Sequence, residues 1–166
     1  HNVNKDYSLT DPELTSKGQK QAEDLRGMPD LATAELLVVS PLSRAIQTAQ
    51  IIWGEHPKLP TMVTPLHSER VDKHCDEGRP KAELEAHFSF LRDWGGWQDL
   101  PEKWSLTKAQ DRHWRRDRVP AFLDWLRGRK EQRIAVVGHG EFFYGLTEAL
   151  GQPADLRNCE VLTLLL

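Results

Sequence analysis

Two short, uninterrupted apolar runs constrain the fold of this chain most strongly. They are Leu36–Val39 and Ile134–Val137, about a hundred residues apart. An uninterrupted apolar run of this length is typical of a β-strand that is covered on both faces. After each run and a short turn, the sequence predicts a helix, over Ala45–Trp53 and Phe142–Leu150. Strand, turn and helix therefore occur twice in the same order.

Apolar strands that alternate with helices predict an α/β fold. We expect a three-layer α/β/α sandwich with a mainly parallel sheet. The apolar segment Glu160–Leu166 is a candidate third strand. No repeat or linker divides the chain, so residues 1–166 are interpreted as a single domain.

The middle of the chain, residues 66–126, carries many charges, and residues 66–117 within it hold four of the six tryptophans. It predicts helices over Lys81–Trp94 and Ala109–Leu126, with Pro120 as a start or kink in the second. We interpret this region as a helical insertion over one end of the sheet, in the position of a substrate lid. In the alternative interpretation, most of these tryptophans simply form a satellite core.

Composition excludes several classes of function. Lys and Arg number 22 against 25 Asp and Glu, and this balance argues against a protein that binds nucleic acid or an anionic membrane through bulk charge. The longest apolar runs are too short to cross a bilayer. Two cysteines cannot form a disulfide framework, which favours a reducing, cytoplasmic setting. The sequence does not determine the oligomeric state.

Two polar turns follow the predicted strands, at the sheet edge where ligands of such folds bind. The segment Ser40-Pro-Leu-Ser-Arg44 places an arginine in the first turn of a helix, where its fork of donors suits a phosphate or carboxylate. The segment Gly138-His-Gly-Glu141 places a histidine between two glycines. Such glycines allow a ligand to approach the backbone closely, and an imidazole can bind an anion. A solvated helix arginine and a structural histidine are the alternatives.

A third cluster, near Leu66, carries carboxyl groups. Glu69 and Asp76 are both candidates for an acid that protonates a leaving oxygen. A nearby phosphate would raise the pKa of such an acid, as that role requires. A metal site made of His67, His74, Cys75 and Asp76 is an alternative, but the spacing matches no standard zinc pattern. We therefore expect no metal and no other cofactor.

Four motifs, in their order along the chain, resemble those of the histidine phosphatase superfamily, the phosphoglycerate-mutase-like proteins. They span nearly the whole chain. They are His1-Asn2, Asp11-Pro-Glu-Leu-Thr-Ser-Lys-Gly-Gln-Lys-Gln-Ala, Ser40-Pro-Leu-Ser-Arg-Ala-Ile-Gln-Thr-Ala and Val136-Val-Gly-His-Gly.

The resemblance implies phosphoryl transfer through a phosphohistidine at the carboxyl edge of the sheet, under the helical insertion over the active-site edge. Arg44 matches a phosphate-binding arginine, His139 the second histidine of the pocket, and Asn2 an asparagine that touches phosphate. Glu69 matches the acid, with Asp76 as the runner-up. No metal is required by this chemistry.

The first motif departs from the family pattern. The family's Arg-His-Gly, which carries the nucleophile, would stand just before Asn2, whereas the only His-Gly pair here is His139-Gly140. His1 matches a variable position and is not nominated as the nucleophile. We expect this sequence to be a fragment whose first strand precedes residue 1, and the 166 residues alone to be inactive.

The resemblance leaves three hypotheses for function. The leading one is a phosphatase that hydrolyses a small phosphomonoester. The second is a phosphoglycerate-type mutase, which tends to carry a longer insertion than the stretch from Glu69 to His139. The third is a family member without catalytic activity that binds a phosphorylated ligand.

Overall fold

The computed structural model describes residues 8–166 and contains a parallel sheet with helices on both faces. Its strands are β1 (Leu36–Val39), β2 (Thr61–Val63) and β3 (Ile134–Val137), in the order β2-β1-β3. Val39, Val63 and Val137 lie in register. All three strands therefore end at the same edge of the sheet.

Within residues 8–166, six α-helices and three short 3₁₀ segments surround the sheet. The 3₁₀ segments are Pro65–His67, His74–Asp76 and Ser89–Asp93. The helices are α1 (Ser16–Glu23), α2 (Pro29–Ala32), α3 (Ser43–Trp53), α4 (Lys81–His87), α5 (Trp114–Arg127) and α6 (Gly140–Ala149).

Side chains of β1 alternate between two separate cores, as the pleat of a strand requires. Leu37 and Val39 pack in a core with residues of α3 and the region around Trp97. Leu36 and Val38 pack in a second core, with residues of α5 and α6. All four side chains of β1 are fully buried. The sheet is thus the middle layer of three, and the predicted α/β/α sandwich is confirmed.

The predicted third strand, Glu160–Leu166, is wrong. This segment forms no strand, and Leu165 is 93% exposed. Instead of entering a ladder, Glu160 N–H donates to the Arg157 carbonyl in a turn, next to Cys159 at φ +57°. Only Leu164 of the run contacts a core. The third strand is β2, which sequence analysis missed because it is three residues long.

The two helices predicted in the middle region are shorter than expected. Phe88 interrupts the first at φ −125° and ψ 72°, and its ring turns into the core. The second begins at Trp114 because a turn at Thr107–Asp111 precedes it, and Pro120 lies inside α5 rather than at its start.

The tryptophans of residues 66–126 do not form a satellite core. Trp94, Trp97 and Trp104 belong to the core on one face of the sheet, Trp114 belongs to the core on the other, and Trp125 packs against that second core. The description of residues 66–126 as a lid stays a prediction. Within residues 8–166, no helix is long and apolar enough to cross a membrane.

Candidate active site

The turns that follow β1 and β3 meet at the carboxyl edge of the sheet. Ser40 N–H donates to the carbonyl of Val137 at 3.1 Å, which continues the ladder one residue beyond β1. Ser40 Oγ lies 2.8 Å from Nε2 of His139, and both side chains are buried. The parallel pairing of β1 with β3 therefore joins the two motifs that sequence analysis singled out.

Arg44 is the second residue of α3, and its side chain is 6% exposed. Its Nη1 donates to the carbonyl of Cys75 at 2.9 Å, and its Nη2 lies 3.5 Å from Oδ1 of Asp76. These contacts use two of the five N–H donors of the guanidinium group. The donors that they leave can bind an anion at the sheet edge.

The N-terminus of α3 is already occupied by a carboxylate of the chain itself. The oxygens of Asp11 accept hydrogen bonds from the backbone N–H and the hydroxyl of Ser43, each at 2.8 Å. Asp11 is fully buried, and burial raises its pKa. Sequence analysis assigned Asp11 no role because its partner lies 32 positions away. Asp11 caps the helix, so this helix end is occupied and Arg44 is the group of this turn that could bind an external anion.

His139 precedes α6 at the N-cap position and is buried. Burial, and secondly the positive charge of Arg44, lower its pKa well below the ordinary value, so the imidazole is neutral. Gly138 permits close packing rather than access for a ligand. A Cβ on this residue would lie 2.8 Å from Phe143 Cζ and 3.0 Å from His67 Cδ2.

The two candidate acids lie beside Arg44. Burial raises the pKa of Glu69, and the charges of Arg44, Asp76 and Glu141 also act on it. Asp76 faces Arg44 and accepts a hydrogen bond from the backbone N–H of Lys73 at 3.1 Å. The structure thus brings Arg44, His139, Glu69 and Asp76 to one edge. Asn2 lies outside the described residues.

His67 was considered only as a metal ligand, yet the structure gives it a structural role. Its ring stacks on Phe122 at 4.7 Å, and Nε2 donates to the carbonyl of Val137 at 3.1 Å. Burial lowers its pKa to about 3. His74 is exposed, unlike His67. The described residues contain no group of three or more His, Cys, Asp or Glu side chains arranged to hold a metal ion.

A buried ion pair supports the segment that carries Glu69. The guanidinium group of Arg118 donates to both carboxylate oxygens of Asp111, at 2.7 and 2.9 Å. It also donates to three backbone carbonyls of residues 66–69. The two side chains are 11% and 1% exposed. Sequence analysis missed both residues, because the pair lies outside the motifs.

A cavity of about 240 Å³ lies between the Glu69 segment and the loop before α5. Glu69 and Asp76 contribute carboxyl groups to its wall, and most of the remaining wall is apolar. Its lining consists of Pro65, Leu66, Ser68, Glu69, Val71, Asp76, Trp104, Ser105, Leu106, Asp111 and Arg118.

This geometry combines an arginine, a neutral imidazole and a carboxyl group whose pKa is raised. Such a set can bind a dianionic phosphoryl group and give a proton to a leaving oxygen.

Comparison with known proteins identifies relatives of the same kind. The family model described as the histidine phosphatase superfamily (branch 1) matches residues 2–163. A phosphoglycerate mutase-like protein of Arabidopsis thaliana is 26% identical, over 97% of this chain and 78% of its own length. A Schizosaccharomyces pombe protein named as a probable phosphatase is 32% identical, over 78% of this chain and 63% of its own length.

One solved structure shows the same fold. It is an Escherichia coli protein described as a candidate alpha-ribazole-5'-P phosphatase. It matches with a TM-score of 0.53 at 23% identity, over 87% of this chain and 71% of that one.

Proposed function

Because this chain belongs to the histidine phosphatase superfamily, we propose that it transfers a phosphoryl group through a phosphohistidine and hydrolyses a small phosphomonoester. The observation that supports this most is the meeting of Arg44 and His139 at the ends of two adjacent parallel strands. Glu69, the candidate acid, lies near enough to Arg44 for its pKa to respond to that charge.

In the proposed reaction, the substrate phosphoryl group binds between Arg44 and His139. In the family's chemistry a histidine of an Arg-His-Gly motif, which is not among residues 1–166, attacks phosphorus, so a P–N bond forms while the P–O bond to the leaving group breaks. The leaving oxygen takes the proton of the Glu69 carboxyl group. Water then attacks phosphorus, the P–N bond breaks, and the Glu69 carboxylate takes a proton from that water.

Glu69 fits the role of the acid better than Asp76 does. A general acid must hold a proton near neutral pH, and burial raises the pKa of Glu69. Asp76 instead points an oxygen at Arg44 and accepts backbone hydrogen bonds from Asp72 and Lys73. We therefore assign Asp76 to orienting Arg44.

The cavity beside Glu69 favours a phosphatase over a phosphoglycerate-type mutase. A phosphorylated sugar acid carries a second anion, which needs a cation of its own. Among the described lining residues the only cation is Arg118, whose donors are engaged by the protein. The apolar wall and the carboxyl groups of Glu69, Asp76 and Asp111 suit an uncharged leaving group.

We further propose that the substrate is a small phosphorylated molecule. We also propose that the protein works in a reducing compartment, the cytoplasm. Cys75 and Cys159 are free thiols, which is consistent with such a setting.

A rapid-quench experiment on the full-length protein tests the proposed function. We expect a phosphomonoester to label a histidine transiently, without priming by a bisphosphorylated substrate. Priming dependence would support the mutase. Substrate binding without any phosphohistidine would overturn the enzymatic proposal in favour of the non-catalytic binder.

A further inference from the structure

Arg118 makes an unusually complete set of hydrogen bonds. Nε and Nη2 bind Oδ1 and Oδ2 of Asp111, and Nη1 binds the carbonyls of Leu66 and Ser68 at 3.2 and 2.8 Å. A second Nη2 donor binds the carbonyl of Glu69 at 3.2 Å. A guanidinium group has five N–H donors. All five are therefore used within the protein, so Arg118 has none left for a substrate.

These bonds hold the short segment around Glu69 at both ends. Arg118 donates to the carbonyls of Leu66, Ser68 and Glu69, while Oδ2 of Asp111 accepts the backbone N–H of Val71 at 2.9 Å. The backbone at Glu69 is therefore held in place, which limits where the Glu69 side chain can lie. The Oε1 atom of Glu69 also accepts a hydrogen bond from the backbone N–H of Arg70 at 2.9 Å. The segment has no regular structure at Glu69 that could fix it otherwise.

The Arg118–Asp111 pair is itself fixed to the protein core. Arg118 belongs to α5, and its guanidinium group lies 5.4 Å from the ring of Phe142 on α6. The pair therefore fixes the irregular segment that carries Glu69 relative to α5 and α6.

We propose that Arg118 and Asp111 are positioning residues that hold the Glu69 carboxyl group where it can protonate the leaving oxygen. This inference rests on the proposed function, since it assigns the acid to Glu69. The charges that act on the pKa of Glu69 come from Arg44, Asp76 and Glu141. The pair therefore acts on the placement of the acid.

Leaving-group dependence separates such positioning from a structural role. The full-length protein with Arg118→Lys, which keeps the charge and loses the fork, is compared with wild type on two substrates. An alkyl phosphate needs a protonated leaving group, whereas p-nitrophenyl phosphate does not. We expect kcat/KM to fall about tenfold or more for the alkyl phosphate and less than about threefold for p-nitrophenyl phosphate.

Three further variants complete the test. Asp111→Asn should shift the ratio of the two kcat/KM values in the same direction, and it covers the case in which Arg118→Lys fails to fold. Arg116→Lys, on the exposed side of the same helix, should leave the ratio unchanged. In a Glu69→Gln background, Arg118→Lys should add no further leaving-group dependence, because the acid that it positions is gone.

Equal losses on both substrates for Arg118→Lys and Asp111→Asn would overturn the positioning role while leaving the proposed function intact. If Glu69→Gln instead lowers kcat/KM equally for the alkyl phosphate and for p-nitrophenyl phosphate, Glu69 is not the acid. That result would overturn the acid assignment and the positioning role with it.

Discussion

The turns after β1 and β3 have the same plan, yet their helices begin differently. At the start of α3, the buried carboxylate of Asp11 binds the backbone N–H and hydroxyl of Ser43. At the start of α6, no side chain in the described part of the chain caps the helix, and buried His139 holds the N-cap position. Among the described residues, a side chain caps the start of α3 and none caps the start of α6.

The turns after β1 and β3 therefore have similar sequences of elements but different groups at the start of the helix. Because Asp11 already occupies the first helix end, we expect that turn to contribute to the proposed site through the side chain of Arg44. We expect the second turn to contribute the imidazole of His139, next to backbone N–H groups that can attract an anion. The predictions below test this division, from the largest expected effect to the smallest.

Removing the ligand-facing group of either turn should have the largest effect. We expect Arg44→Ala and His139→Ala each to lower kcat/KM of the full-length protein by about 10²-fold or more, the scale for losing one charge-stabilising group. Steady-state kinetics on one phosphomonoester measures this. His56→Ala, at an exposed histidine, is the control. Unchanged rates for either site variant would refute its assignment.

Removing the internal cap should affect stability at only one of the two helices. Asp11→Ala leaves two buried donors of Ser43 without an acceptor, so we expect the free energy of unfolding to fall by about 2 to 3 kcal/mol. Glu141→Ala removes an exposed acid from the first turn of α6, and the loss should stay below about 1 kcal/mol. Urea denaturation measures both. Similar losses of stability for Asp11→Ala and Glu141→Ala would show that the two helix starts do not differ in this way.

Low pH should destabilise the protein through His67, whose ring is hydrogen-bonded to Val137 of β3. Its pKa is 6.5 ordinarily and about 3 in the fold, so below pH 6.5 the unfolded state binds a proton that the folded state does not. The free energy of unfolding should therefore fall as the pH drops, by about 2 kcal/mol at pH 5 from this residue. His67→Gln should remove that slope. Urea denaturation of both proteins at pH 7.5 and 5 measures the difference, and equal slopes would show that His67 takes up protons in the fold.

The two glycines beside His139 should respond differently to substitution. Gly138→Ala places a Cβ against Phe143 and His67, and we expect a loss of about 1 kcal/mol or more. Among the described residues, the Cβ of Gly140→Ala has the Leu156 carbonyl oxygen, at 3.9 Å, as its nearest neighbour, and the residue lies at the start of α6. That variant should be neutral or slightly more stable. Thermal denaturation measures the pair, and a neutral Gly138→Ala would show that His67 or Phe143 can move.

The sequence predicted the fold wherever a local pattern was decisive. Leu36–Val39 and Ile134–Val137 are strands, as their continuous apolar runs predict. The cover on both faces that such a run predicts is complete for Leu36–Val39, whereas Ile134–Val137 is half-buried. Glu160–Leu166 carries a similar run and forms no strand. Apolar character alone does not supply a neighbouring strand to pair with, and pairing is a property of the tertiary structure.

For the site, the sequence by itself predicted Arg44, His139 and Glu69, because each lies in or next to a recognisable motif. The tertiary structure decided how they are held. Asp11 reaches Ser43 across 32 positions, and Arg118 reaches the carbonyl of Leu66 across 52. A buried polar group must find a partner, but it is the packing of distant elements that determines which partner it finds.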